Sequence, residues 1–176
     1  MNDPIIDLRR RGESDGQRHE LQSGNIVTSS VRSQEVQRAA RNIGFALEEW
    51  LEESGGGDLY YDPFLLYLSE EDIIQADLLW ILDPQEGTIT SDFLRGLPAL
   101  LVDISTPETP SPDRRMEIYA RHGIPEAWWV HMEKRTISRY QPKTSGSVPT
   151  ASYQDSETLT SEQVPGFSLP VSDIFA

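Results

Sequence analysis

Two stretches of the sequence, "IIQADLLWIL" and "LLVDIS", each place one acid, Asp77 and Asp103, inside an apolar, strand-like run. Asp103 is flanked by Leu100, Leu101, Val102 and Ile104, so at least one side of its strand faces a packed interior. An unpaired charge buried there costs several kcal/mol, so something must pair with it. Two strand carboxylates that converge at one end of a sheet repel each other unless a cation lies between them. A divalent metal supplies that charge and makes water a usable nucleophile near neutral pH. The alternative is that each acid is exposed or is paired with an arginine, and the pattern leaves both open.

The elements around these acids follow from periodicity and punctuation. "HELQSGNIVTSS" offers a short strand or hairpin around Gly24. Val36, Ala40, Ile43, Leu47, Trp50 and Leu51 recur at helical spacing, which predicts an amphipathic helix over residues 33–53 that stops at Gly55, Gly56 and Gly57. Strands are expected at 59–61, 64–68 and 74–82, the last interrupted by Asp77. A loop with Asp83, Pro84 and Gly87 follows, then a short helix near 91–95 and the Asp103 strand over 99–105. "TPETPSP" excludes regular structure. Ser111 as N-cap and Pro112 at the first helical position start a second helix that Gly123 ends. "AWWVHMEKRTISRYQP" is a hairpin whose adjacent Trp128 and Trp129 point to opposite faces, and 152–154 adds an edge strand. Phe167, Leu169, Ile174 and Phe175 pack onto the body. Residues 1–16 show no apolar periodicity and read as a flexible tail, with the fold in 17–176. The plan is α/β with a mixed central sheet flanked by helices and a closing hairpin.

Composition narrows the chemistry. With no cysteine, any metal must take oxygen or imidazole ligands, which suits magnesium or manganese. A formal charge of -14 opposes non-specific attraction to a phosphate backbone, so a nucleic-acid role needs a local basic patch. Only Lys134 and Lys143 are lysines, against thirteen arginines. No apolar run is long enough to cross a bilayer, and the arginine-rich start is unlike a secretory signal, so no membrane contact and a cytoplasmic location are expected. His19, His122 and His131 are scattered, which argues against a histidine-based small-molecule enzyme. Gly55 to Gly57 lack the Lys-Ser/Thr of a phosphate loop.

The run "QADLLWIL" followed by "GLPALLVDISTPETPSPDRRMEIYARHGIPEAWWV" resembles the Uma-two restriction endonuclease family of the PD-(D/E)XK nuclease superfamily. "HELQSGNIV", "QEVQRAARNIGFALEEWLEE" and "VPGFSLPV" extend the likeness from about His19 to near the end. The resemblance implies a restriction-endonuclease-like fold, with 17–176 as a single such domain, and a magnesium-dependent endonuclease that hydrolyses phosphodiester bonds. Position by position, it makes Asp77 the first metal-ligand aspartate and Asp103 the second acidic ligand. Glu20 matches an N-terminal glutamate that completes the cluster, and Arg115 matches the catalytic lysine of the helix. Ser105, Pro107, Asp113, Tyr119, Gly123, Pro125, Glu126 and Trp128 follow the family pattern.

Several positions depart from it. Ala76 replaces a proline, Asp103 a glutamate, Arg115 a lysine, and Ser33 stands where many members have histidine; Ala127 and His131 also differ. Shortening Glu to Asp withdraws the carboxylate by about one bond, where catalytic geometry tolerates errors of about 0.5 Å. A guanidinium stays protonated, so Arg115 cannot share a proton with an attacking water, yet it can stabilise a phosphate. Two readings therefore stand: a metal-dependent nuclease acting on DNA through a local basic patch, or a catalytically inactive binding or regulatory module in which Arg115 replaces the metal as counter-ion to Asp77 and Asp103. The second favours a protein partner or a homodimer.

Overall fold

The computed structural model describes residues 3–54, 56–82, 88–91, 93–109 and 111–176. The expected loop with Asp83, Pro84 and Gly87, and Gly55 of the glycine run, lie outside the described residues.

The chain opens with a helix rather than a tail. In α1 (Pro4–Asp15), Asp3 caps the start by accepting from the Ile5 amide at 2.9 Å, Pro4 occupies the first turn, and Gly16 ends it with φ 67°. Its Ile5 and Leu8 are buried against Leu65 and Ile73, so tertiary packing rather than periodicity holds this element. The hairpin β1 (Arg18–Gln22) and β2 (Asn25–Ser29) follows, then the long helix α2 (Gln34–Ser54).

Beyond α2 come β3 (Asp58–Tyr61), β4 (Leu65–Tyr67), β5 (Ile73–Ile74) and β6 (Leu78–Ile81). The single strand expected over 74–82 is thus two. Ile73 and Ile74 pair with β1 and β4, whereas β6 pairs with β3, and Gln75 to Asp77 carry the chain from one sheet to the other. β7 (Thr88–Ile89) and β8 (Phe93–Arg95) come next. The short helix expected near 91–95 is corrected to this strand: β8 runs parallel to β4, buries Leu94 between its exposed and half-buried neighbours, and sets Arg95 4.0 Å over the Tyr67 ring. Asp92, within that expected helix, is outside the described residues.

The Asp103 strand is β9 (Leu100–Ser105), and α3 (Pro112–Arg121) follows it, N-capped by Ser111 as expected. β10 (Glu126–His131) and β11 (Thr136–Tyr140) form the hairpin; a short turn of helix, α4 (Pro142–Ser145), had no sequence signal. β12 (Pro149–Tyr153), β13 (Thr158–Thr160), β14 (Ser168–Pro170) and α5 (Val171–Ile174) complete the chain.

Among the described residues two six-stranded sheets result, ordered β2-β1-β5-β4-β8-β7 and β12-β11-β10-β9-β6-β3, with β13 and β14 paired apart. The second is mixed, since β9 and β10 are parallel while β6 runs against β9. Strand alternation divides its residues cleanly. Val102, Ile104 and Trp128 pack under Val36, Ile43 and Leu47 of α2, while Leu101, Ala127 and Trp129 pack under Met116 and Tyr119 of α3. The two tryptophans lie on opposite faces, as their adjacency predicts, and both are buried.

Candidate active site

Asp77 and Asp103 meet at the junction of the two sheets. Asp77 leaves the crossing segment just before β6; its amide donates to the Val102 carbonyl at 2.9 Å, and its Oδ2 accepts the Ile104 amide at 2.7 Å. Its carboxylate is thereby held against the backbone on both sides of Asp103. Asp103 points from β9 toward α3, where the Tyr119 hydroxyl donates to its Oδ2 at 2.6 Å. Glu20 comes from β1 and accepts the Gln75 amide at 2.6 Å and the Gln22 side-chain amide at 2.8 Å. All three acids are nearly excluded from solvent.

Arginines meet this charge. From α3, Arg115 donates through Nη2 to both Glu20 oxygens, at 2.9 and 3.1 Å, and its Nε lies 3.6 Å from Asp103 Oδ1. Arg32, on the linker between β2 and α2, grips Asp77 end-on, with Nε 2.5 Å from Oδ1 and Nη2 2.8 Å from Oδ2. Arg18 binds Asp62 at 2.8 Å and the Gln75 carbonyl at 2.6 Å. The structure therefore gathers Asp77, Asp103, Glu20 and Arg115 into one network, and adds Arg32 and Arg18. The counter-ion of Asp77 is Arg32, not the Arg115 expected in the inactive-module reading; Arg115 serves Glu20 and Asp103.

Electrostatics separate the three acids. Burial raises Asp103 above the usual carboxylate range, with Arg115 opposing and the charge of Asp77 adding to the rise. Burial also raises Asp77, although Arg32, Arg18 and the Ile104 amide pull the other way. Burial pushes Glu20 up as well, but Arg115, Arg18 and the Gln75 amide outweigh it and leave it below its ordinary value. Tyr119 is pushed far up by burial beside Asp103, so its hydroxyl remains a donor. Glu20 and Asp103 hold the Arg115 guanidinium firmly protonated despite burial.

The donor set suits a hard cation only in part. Asp103 Oδ1 is buried and accepts no hydrogen bond, which is the vacant lone pair a cation at Asp77 and Asp103 would fill. Glu20 is fully engaged, and among the described residues no three acids or histidines gather as a metal cage. Asp77 and Asp103 remain as two candidate carboxylate ligands, and Arg32 occupies both oxygens of Asp77 in this structure. Beyond Arg32 a groove of about 1020 Å³ opens between α1, β1, α2 and β3, with Asp77 on its wall.

The three histidines stand apart from the acids and from one another. His19 bonds Asp15 and Thr28, His122 bonds Asp72 at 2.8 Å, and His131 approaches Ser138.

The fold is shared with a solved structure. A putative nuclease belonging to DUF820 from Anabaena variabilis superposes with a TM-score of 0.72 over 90% of this chain and 89% of that one, at 10% sequence identity. No curated protein matches the chain. None of the described helices is long and apolar enough to span a membrane. The family model described as "Uma2: Putative restriction endonuclease" matches residues 6–172, which takes in most of α1 as well as every acid and arginine of the network, and the chain belongs to that family.

Proposed function

We propose that this chain is a nuclease that hydrolyses phosphodiester bonds of nucleic acid with magnesium or manganese, and that Asp77 and Asp103 hold the cation. The observation that carries this reading is Asp103 Oδ1, buried without a hydrogen bond 3.6 Å from Arg115 Nε and close to a second carboxylate, Asp77, which stands on the groove wall. When bound there, the cation would neutralise charge on the phosphate and ready a water for attack. Arg115 steadies the scissile phosphate, Glu20 aligns Arg115 through its two hydrogen bonds, and Tyr119 fixes the rotamer of Asp103. Arg32 must swing off Asp77 before the seat is complete; it sits on a linker at the groove wall, where a substrate phosphate competes for it.

A second reading, a nuclease fold that binds without cleaving, is favoured by the end-on Arg32 pair, which satisfies both Asp77 oxygens without a metal. Calorimetric titration with manganese, with Asp77→Ala alongside and cleavage assayed on single- and double-stranded DNA and RNA, separates the two. Saturable binding lost in the variant, together with cleavage, supports the nuclease. No binding and no cleavage with either metal overturns it in favour of the binding module.

A further inference from the structure

The groove that ends at Asp77 has features the acid site does not explain. Its volume of about 1020 Å³ is at the upper end of the roughly 300–1,000 Å³ of small-ligand clefts. Phe45 and Val31 stand on its walls with 70% and 64% of their surfaces exposed, two large apolar side chains in one cleft of a chain whose formal charge is -14. Arg41 lies one turn before Phe45 on the same face of α2 and has no partner among the described residues. Gly44 lets Tyr61 pack directly on α2: a side chain there would collide with the Tyr61 ring, whose hydroxyl donates to Glu48 at 2.7 Å, and both Tyr61 and Glu48 line the groove.

Charge points the same way. Seven of the thirteen arginines fall within residues 1–41, against six acids, so the segment that builds α1, β1 and the start of α2 is slightly basic in a chain of -14. The groove's own lining balances Arg9, Arg18, Arg32 and Arg41 against Glu13, Glu48, Asp62 and Asp77, so it lacks the negative excess of the whole chain that would repel a phosphate backbone.

We infer that the groove seats a single-stranded segment of nucleic acid, with Phe45 stacking on an unpaired base and Arg41 and Arg32 taking phosphates on the way to Asp77. An exposed ring beside a guanidinium is the chemistry of single-strand binding, where aromatic faces take bases and cations track the backbone. A duplex keeps its bases stacked and offers Phe45 no face. The inference deepens the nuclease reading and rests on it for what happens at the floor of the groove, but not for binding.

Fluorescence anisotropy in EDTA tests it, using the full chain and a labelled single strand of about twelve nucleotides. Saturable binding is expected, weaker for the matching duplex and about tenfold weaker or more for Phe45→Ala. Arg41→Gln should weaken binding and lower the salt slope by about 0.7. Val148→Ser, which removes an apolar side chain 66% exposed outside the groove, should bind as the wild type does. No binding, preference for the duplex, or unchanged affinity in both groove variants overturns the inference. So does sedimentation showing a dimer that Phe45→Ala dissociates while strand affinity is unchanged, which would assign the face to a second copy. Because the assay contains no metal, a protein that binds the strand but never cleaves loses only the nuclease reading. One that cleaves, with binding untouched by the groove variants, loses only this inference.

Discussion

Of the described regions that bury carboxylates, two solve the same problem differently. At the sheet junction, Asp77, Asp103 and Glu20 are matched by Arg32, Arg115 and Arg18. At the start of β10, Glu126 is fully buried and receives neutral donors: Trp128 Nε1 and the Ser161 hydroxyl both donate to its Oε1 at 2.6 Å. Its Oε2 has no hydrogen-bond partner, and burial raises it above its ordinary value. Guanidiniums bring one junction acid, Glu20, below its ordinary value and oppose the rise that burial gives Asp77 and Asp103, whereas Glu126 meets the same burial chiefly with neutral donors. The first arrangement is suited to holding a cation or meeting a phosphate, and the second to tying β10 to the segment that carries Ser161.

The sharpest way to break the comparison is to strand a guanidinium. Glu20→Ala leaves Arg115 and the Gln75 amide without their acceptor inside the protein, and breaking a buried pair from one side costs about 3–5 kcal/mol. Chemical denaturation should register that loss. Because Glu20 lies below its ordinary value in the folded state, its stabilisation is present above the unfolded-state value near 4.5 and fades as pH falls through the folded one. Wild type should therefore lose its advantage over the variant in acid; a difference independent of pH would show that Glu20 is not held by charge.

Next in size is Tyr119→Phe. It removes only the hydroxyl that donates to Asp103, and a hydrogen bond to a charged group contributes about 1.5–3 kcal/mol. Denaturation should show that loss, and manganese affinity should fall with it because Asp103 is no longer oriented. Unchanged affinity would mean that the β9 backbone alone fixes the carboxylate.

How far these residues were legible in the sequence differs by the kind of signal each carries. Asp103 and Asp77 stood out because acids interrupt apolar strands, and α2, α3 and the β10–β11 hairpin followed from periodicity, caps and turn residues. Arg32 did not. It sits in "SSVRS", a polar linker with no period, and its partner is 45 residues away, so only the tertiary fold brings them together. The helix α1 had signals that weak amphipathicity concealed: Asp3 and Pro4 at its start and Gly16 at its end. The division of residues 74–82 between two sheets was invisible because β5 and β6 have the same apolar composition, and only Asp77 marks the crossing. In β8, three residues become a strand because β4 offers a parallel edge, a partner that local propensity cannot see.

Arg32→Met sharpens the same contrast from the other side. It removes the guanidinium that satisfies both Asp77 oxygens while leaving an apolar stem to cover the groove wall. On the nuclease reading the variant should bind manganese about tenfold more tightly, a change of about 1.4 kcal/mol, because the cation no longer displaces a charged competitor. Calorimetry measures this directly. Equal affinity would place Arg32 outside the competition and leave the end-on pair as a structural tie.

The smallest effect should have the opposite sign. Glu126→Gln preserves the shape and can still accept from Trp128 and Ser161, but it removes the need to bury a charge. The folded-state value of Glu126 is raised by burial, with Ser161, Trp128 and Arg139 opposing and Glu162 adding to the rise. Its contribution is therefore fully present below the unfolded value near 4.5 and is lost as pH rises through the folded one. At neutral pH the glutamine should match or exceed wild type by less than about 1 kcal/mol, and the advantage should vanish in acid. The wild-type stability difference would then run opposite in pH to that of Glu20→Ala. If Glu126→Gln instead destabilises at neutral pH and more so as pH rises, Glu126 is held as an anion by Arg139, and the two regions differ only in how many arginines they contain.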